Sequence, residues 1–343
     1  MRVLVAPDCF TGTLTAPEAA EAIAAGWRRS DPGATLDLAP MSDGGPGFVE
    51  VLERSVGGRL VATEVSGPFG HPVLAELLLA DDGTAYVEAA AACGLAQVPE
   101  GERDAMAAST EGVGDLLRVA LEEGATRMVV GIGGTASTDG GRGCVERFGG
   151  PGRWPSGVDL LVATDVDNPL LGTGGAAAVY GPQKGADRTQ VALLEQRLTE
   201  WVAATGGLAE APGAGAGGGL GYGLMLLGGR RVSGVQTVLE ALRLEQRAAA
   251  VDLLLTGEGS FDATSLQGKV PRGVAWVAQR SARPCVVLAG RVQVGRREFA
   301  AAGIDAAYSI EESAGSAAAA RAEPAARLAD LAERVARSWA PRT

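Results

Sequence analysis

Aspartates, glutamates and two lysines stand in this chain where apolar runs break into glycine. Five such tips occur: VLVAPD ends at Asp8, MSDGG carries Asp43, GIGGTASTDGG spans 131–141, LLVATDVDN carries Asp165, Asp167 and Asn168, and LLLTGEGSFD carries Glu258, Ser260 and Asp262. In GIGGTASTDGG the glycines bare backbone N–H groups and Ser137 and Thr138 add hydroxyls, a nest suited to phosphate oxygens. A purely structural turn would read the same way. In TDVDN, residues two apart on an extended segment project to one side, so Asp165 and Asp167 can share a Mg²⁺ that keeps several waters; solvated turn aspartates are the plainer alternative. Glu258, Asp262 and Lys269 of QGK put three titratable groups just past a buried strand.

Only two of the 30 basic residues are lysines, Lys184 in GPQKG and Lys269, and both lie beside glycine. A compact ammonium retained there, in a chain that otherwise uses arginine, fits a point charge on phosphate oxygens. His71 is the sole histidine, in the turn PFGHP. A Ser-His-Asp triad is thereby excluded, and proton transfer is left to carboxylate or lysine. Phosphoryl transfer tolerates that, because it rests on positioning and charge more than on a strong base.

Alternating strands and helices must hold these tips. Val3–Ala6 reads as a buried strand, Thr15 and Glu18 as a capping box opening a helix to Arg29, and Ala34–Ala39 as the next strand. In a parallel sheet that order sets Asp8 and Asp43 at the carboxyl edges of neighbouring strands, where open α/β folds bind ligands. Pro and Gly around Ser66–Pro72 mark a boundary. Strands then follow at Ala85–Glu88, Arg127–Gly131, Asp159–Ala163 and Asp252–Leu255, with helices at Thr110–Glu123, Gly174–Tyr180 and Gln190–Ala204. GAGAGGGLG contains a GxGxxG match at Gly213, Gly215 and Gly218, but no clear strand precedes it. It is either a mobile phosphate-contacting loop or a linker. From Pro284 the style of the N-terminus returns, so the expectation is one domain built from both ends, residues 1–66 with 284–343, and a second, residues 67–283, inserted into it.

Composition excludes several classes. The chain has 343 residues, 46% hydrophobic but only 4% aromatic, which suits an α/β core of Ala, Val and Leu. A net charge of −11 without a basic stripe argues against nucleic acid. Cys9, Cys93, Cys144 and Cys285 form no CxxC pair and read as buried free thiols of a reducing cytosol. No signal-like or membrane-length apolar run occurs. The expectation is a cytoplasmic protein that binds no membrane, a monomer or homodimer.

The residues also carry a resemblance. APDCFTGTLTAPEAAEAI, MSDGGPG, GIGGTASTDGG, ATDVDNPLLG with VYGPQKGA, GAGAGGGLGYGL and TGEGSFDATSLQGKVPRGVA are similar, in order and over nearly the whole chain, to the blocks of the type I glycerate kinase family. The resemblance implies a Rossmann-like parallel-sheet domain with a second α/β domain inserted into it. It also implies ATP- and Mg²⁺-dependent phosphorylation of a glycerate hydroxyl, with the active site in the cleft between the domains. On that reading Gly133, Gly134, Thr135, Ser137, Thr138, Asp139 and Lys184 hold the nucleotide's phosphates and Asp165 with Asp167 the metal. Asp43 or Asp262 orients the acceptor hydroxyl, and Lys269 neutralises the transferring group. Asp8, Glu258 and Ser260 face the substrate.

Departures fall on that last set. The family usually reads DSFK where Thr11 ends the motif here, DGGEG where Pro46 stands, and TGEGR with a later glutamine where Ser260 and Thr264 stand. The stretch from Gly143 to Asp159 is also short. Basic groups suited to a carboxylate are missing, so a kinase of the same fold acting on a different small hydroxylated compound is the main alternative. A non-catalytic nucleotide or metabolite sensor is another, and a hydride-transferring oxidoreductase rests on the glycine pattern alone.

Overall fold

Thr15 accepts a hydrogen bond from the Glu18 amide, and Glu18 returns one from the Thr15 amide, so the capping box starts a helix over Ala16–Ser30 as read. The computed structural model describes residues 1–339. Its strands, in chain order, are β1 (Arg2–Val5), β2 (Thr35–Leu38), β3 (Arg59–Ser66), β4 (Pro72–Leu79), β5 (Thr84–Glu88) and β6 (Arg127–Gly131). They continue with β7 (Asp159–Ala163), β8 (Arg230–Val232), β9 (Leu253–Phe261), β10 (Cys285–Val292) and β11 (Ala306–Ser309). They form two sheets in two units, Met1–Ser42 with Val235–Thr343 and Asp43–Gly234.

The first unit carries a five-stranded sheet ordered β11-β10-β9-β1-β2, parallel throughout. Val3, Leu4 and Val5 are all fully buried, as a strand covered on both faces requires. Helices Ala16–Ser30 and Pro324–Trp339 cover one face and bury Ile23, Trp27, Leu328 and Leu331 against Val3, Val5, Leu253 and Val286. Strand order reverses between β1 and β9, which makes the carboxyl ends of those two strands the switch point of the sheet. Asp8 and Glu258 lie there.

The second unit carries a six-stranded sheet ordered β3-β4-β5-β6-β7-β8, antiparallel from β3 to β5 and parallel from β5 to β8. The parallel strands end together at Glu88, Gly131 and Ala163.

Two boundaries differ from the sequence reading. The Pro/Gly segment 66–72 is no domain border but the turn of a hairpin, with Ser66 paired to Pro72 and Gly67 N–H donating to the His71 carbonyl at 2.7 Å. Its strands, LVATEVS and PVLAELLL, alternate with period two, a signal outweighed by the turn residues. β9 belongs with the terminal segments, because β1 and β10 flank it on either side; the unit therefore resumes at Val235 and not near Pro284. Asp8 follows β1 and Asp43 follows β2, and those strands are parallel neighbours as the order predicted; Asp43 itself is the first residue of the second unit. Of the cysteines, Cys93, Cys144 and Cys285 are buried and Cys9 is only half-buried; none is in a disulfide. Among the described residues no helix is long and apolar enough to cross a membrane.

Candidate functional site

In the second unit the expected nest forms directly on the carboxyl end of β6. Its backbone is pinned from three sides: Gly133 N–H donates to the Gly44 carbonyl at 3.1 Å, Ala136 N–H to Cys93 at 2.7 Å and Gly140 N–H to Gly218 at 3.2 Å. The amides of Ser137 and Thr138 meet no acceptor among the described residues. The Thr138 hydroxyl is likewise buried without a partner. Buried donors are ordinarily satisfied, so a group of them left over in a glycine-rich loop is a place for an external acceptor.

Lys184 lies beneath this loop. It is 3% exposed, and its Nζ donates to the Ser137 carbonyl and to Thr135 Oγ1, the latter at 3.3 Å. Burial pushes its pKa down to about 8, against the opposing pull of Cys93 and Asp139. The ammonium thus braces the nest from below. Asp139 is also taken up internally. Its carboxylate accepts the amides of Thr110, Gly141 and Gly143 at 2.9, 3.1 and 3.1 Å and the Thr110 hydroxyl at 2.8 Å, tying the nest to helix Glu111–Glu122.

The glycine run 213–221 is neither a mobile loop nor a linker. It is a wall packed backbone to backbone against the nest. A Cβ on Gly218, whose φ is +70°, would lie 1.9 Å from the Ser137 carbonyl oxygen and 2.7 Å from Lys184 Nζ. No strand runs into it, and it makes no dinucleotide turn. The oxidoreductase reading loses its one support.

Asp43 accepts the Gly45 amide at 3.1 Å, shaping a turn that seats Gly44 on the strand ends. A Cβ at Gly44, at φ +93°, would come within 2.9 Å of the Ala163 carbonyl. Glu88, which the sequence reading passed over, accepts the amides of Gly47 and Val49 at 3.0 and 3.4 Å and holds the start of helix Phe48–Val56. Burial raises its pKa to about 6. It ends a strand as the five acidic tips do, but alanines follow it where glycine would have signalled a site.

The two carboxylates of TDVDN part company. Ser233 Oγ donates to Asp165 Oδ1 at 2.6 Å, whereas exposed Asp167 pairs with Arg231 at 2.7 Å. Asp167 is thus engaged by Arg231 in this structure, and among the described residues no cluster of three or more His, Cys, Asp or Glu could hold a cation by itself. Asn168 ties its own loop, donating to the Gly174 carbonyl at 2.8 Å and accepting from Tyr180 at 2.7 Å.

In the first unit, Asp8 and Glu258 are both nearly buried at the switch point, with Asp8 N–H on the Gly257 carbonyl at 2.8 Å. Asp262 accepts the amide and hydroxyl of Thr264 at 2.8 and 2.7 Å. Burial pushes its pKa up, but those bonds and the Lys269 charge outweigh it and hold the carboxyl below its usual range. Lys269 stands at the N-cap position of helix Val270–Arg280 without a side-chain capping bond. The structure so brings Asp262 and Lys269 together, and Asp8 with Glu258.

The glycerate kinase family profile matches residues 3–151 and 152–340. The chain belongs to the glycerate kinase family. It is 38% identical to glycerate 2-kinase of Escherichia coli K12, covering 92% of each chain. It is 48% identical to an uncharacterised protein of Mycobacterium bovis, covering 98% of this chain and 91% of that one. A solved Salmonella typhimurium LT2 structure, provisionally named glycerate kinase 2, superposes with a TM-score of 0.77 at 34% identity over 98% of both chains. The likeness thus runs through both sheets, including the strand ends that carry the nest.

Proposed function

We propose that this protein transfers the terminal phosphoryl group of ATP to a hydroxyl of glycerate, and that the 2-hydroxyl receives it. Membership of the glycerate kinase family and the 2-kinase among its relatives support that reading. The single structural observation that carries it is the set of unsatisfied donors in the nest, the Ser137 and Thr138 amides with the Thr138 hydroxyl. They suit phosphate oxygens, and Lys184 behind them stiffens the loop and adds positive potential.

In the transfer, the acceptor oxygen forms a bond to the γ-phosphorus as the bond from that phosphorus to the bridging oxygen breaks. ADP leaves, and the hydroxyl proton passes to a carboxylate. Asp262 is ionised at neutral pH and can take up or orient that proton; Asp43 is the other candidate for this role. Lys269 offsets the charge that develops on the transferring oxygens. The donor set fits a Mg²⁺ carried in on the nucleotide with Asp165 as its protein carboxylate, and the ion would neutralise phosphate charge there. Asp8 and Glu258 face the acceptor in this proposal.

An ADP-release assay over D-glycerate, L-glycerate, other hydroxy acids and polyols, with product analysis, tests the reading. Turnover of glycerate to its 2-phosphate is expected. Lys269→Ala should lower kcat by at least about 100-fold while changing the KM for ATP little. Absence of ADP release with either glycerate enantiomer would overturn the assignment.

A further inference from the structure

A separate cavity of about 260 Å³ opens at the carboxyl edge of the first unit's sheet, bounded in part by Thr11, Ser260, Arg291, Glu311 and Arg321. It is a little smaller than the roughly 300 Å³ at which pockets for drug-sized ligands begin, a size that suits a three-carbon acid. The β9–β10 register sets Arg291 opposite Ser260. Arg291 Nε donates to Ser260 Oγ at 2.9 Å, and that hydroxyl donates onward to Gln293 Oε1 at 3.2 Å. The bond engages the nitrogen of the guanidinium nearest the chain and leaves the two terminal nitrogens, the pair that grips a carboxylate in bidentate fashion.

Some arginines elsewhere in this acidic protein have found carboxylates: Arg247 holds Asp37 and Arg231 holds Asp167, each at 2.7 Å. Among the described residues no carboxylate lies within ion-pair distance of Arg291 or of Arg321. Glu311, also on the cavity wall, is not paired with either. Two unpaired guanidiniums against one carboxylate leave the cavity net positive. Thr11 and Ser260 are two of the positions at which the chain departs from the family pattern by lacking a basic residue. The positive charge missing in sequence at 260 thus stands directly across the ladder, on the neighbouring strand.

We infer that Arg291, oriented by Ser260, is the residue that recognises the carboxylate of the acceptor, with Arg321 of the cavity lining adding charge and Thr11 a hydroxyl. The ligand class is a small 2-hydroxy carboxylate. This rests on the kinase reading above for the fate of the ligand, but not for its binding.

Calorimetric titration with glycerate and with glycerol, which lacks the carboxylate, is to be run beside ADP-release kinetics. The proteins are the parent, Arg291→Ser, and the exchanged pair Ser260→Arg with Arg291→Ser. Arg291→Ser should weaken glycerate binding and raise its KM by about tenfold or more, the value of a charge-assisted contact, with the KM for ATP and the response to glycerol unchanged. The exchanged pair should recover most of that loss, which a merely structural role for Arg291 would not produce. Glycerate affinity and KM equal in parent and Arg291→Ser, or a parent that binds no glycerate, would overturn the inference. Arg291-dependent binding without any turnover would refute the kinase and leave the carboxylate site standing.

Discussion

Lys184 is the buried charge on which the nest depends, and its titration gives a quantitative handle on that loop. Its folded pKa of about 8 lies under the value of 10.5 expected for the unfolded chain. Below pH 8 the ammonium is charged in both states, and the native state bears the whole cost of burying it. Between the two values the unfolded chain holds a proton that the native protein has shed, so stability rises with pH. The full gain is about 3 kcal/mol, of which about 2 kcal/mol is realised between pH 7 and pH 9.5. Cys93, whose thiol burial pushes up to about 12, works in the opposite sense, because the native protein keeps a proton that the unfolded chain loses. The comparison is therefore made against Lys184→Met, which retains Cys93 and removes the charge. Urea unfolding followed by tryptophan fluorescence at the two pH values should show the parent gaining about 2 kcal/mol on the variant as pH rises. A parent-minus-variant difference that is the same at both pH values would refute the placement of Lys184 as a buried, desolvated cation.

Two further stability measurements probe the loops around the nest. Asp139→Ala removes an acceptor that serves three amides and a hydroxyl; it should cost about 3–4 kcal/mol in urea unfolding, since those donors are left with no acceptor. A loss under about 1 kcal/mol would mean that water replaces the carboxylate. Glu88 has a folded pKa of about 6 against 4.5 unfolded, so the stability it confers is complete below pH 4.5 and is lost as pH rises through 6. Between about pH 4 and pH 7.5 the stability of Glu88→Gln relative to the parent should improve by about 2 kcal/mol, and a pH-independent difference would contradict the burial of that carboxylate.

How much of this was legible in the sequence depends on the range of the interaction concerned. The capping box at Thr15 and Glu18, the buried strand at β1 and the nest after β6 are local, and each appears in the structure where its residues indicated. The ordered blocks from Asp8 to Lys269 also carried the family. The hairpin of β3 and β4 is not legible locally because its turn residues are those of a linker, and only pairing across the turn distinguishes the two.

The site residues divide along the same line. The sequence by itself determined which groups are available: carboxylates and two lysines at glycine-rich strand ends, with one histidine in a turn. Tertiary structure decided how each is used. It turned Lys184 inward beneath Ser137, took Asp139 into the support of Thr110, and paired Asp167 with Arg231 of β8. It packed the glycine run against the nest as a wall and laid Arg291 across from Ser260. Each of these outcomes joins residues at least 29 positions apart in the chain. A carboxylate or an ammonium has the same chemistry at every position, and only the neighbours brought by folding decide whether it meets solvent, a partner or a ligand.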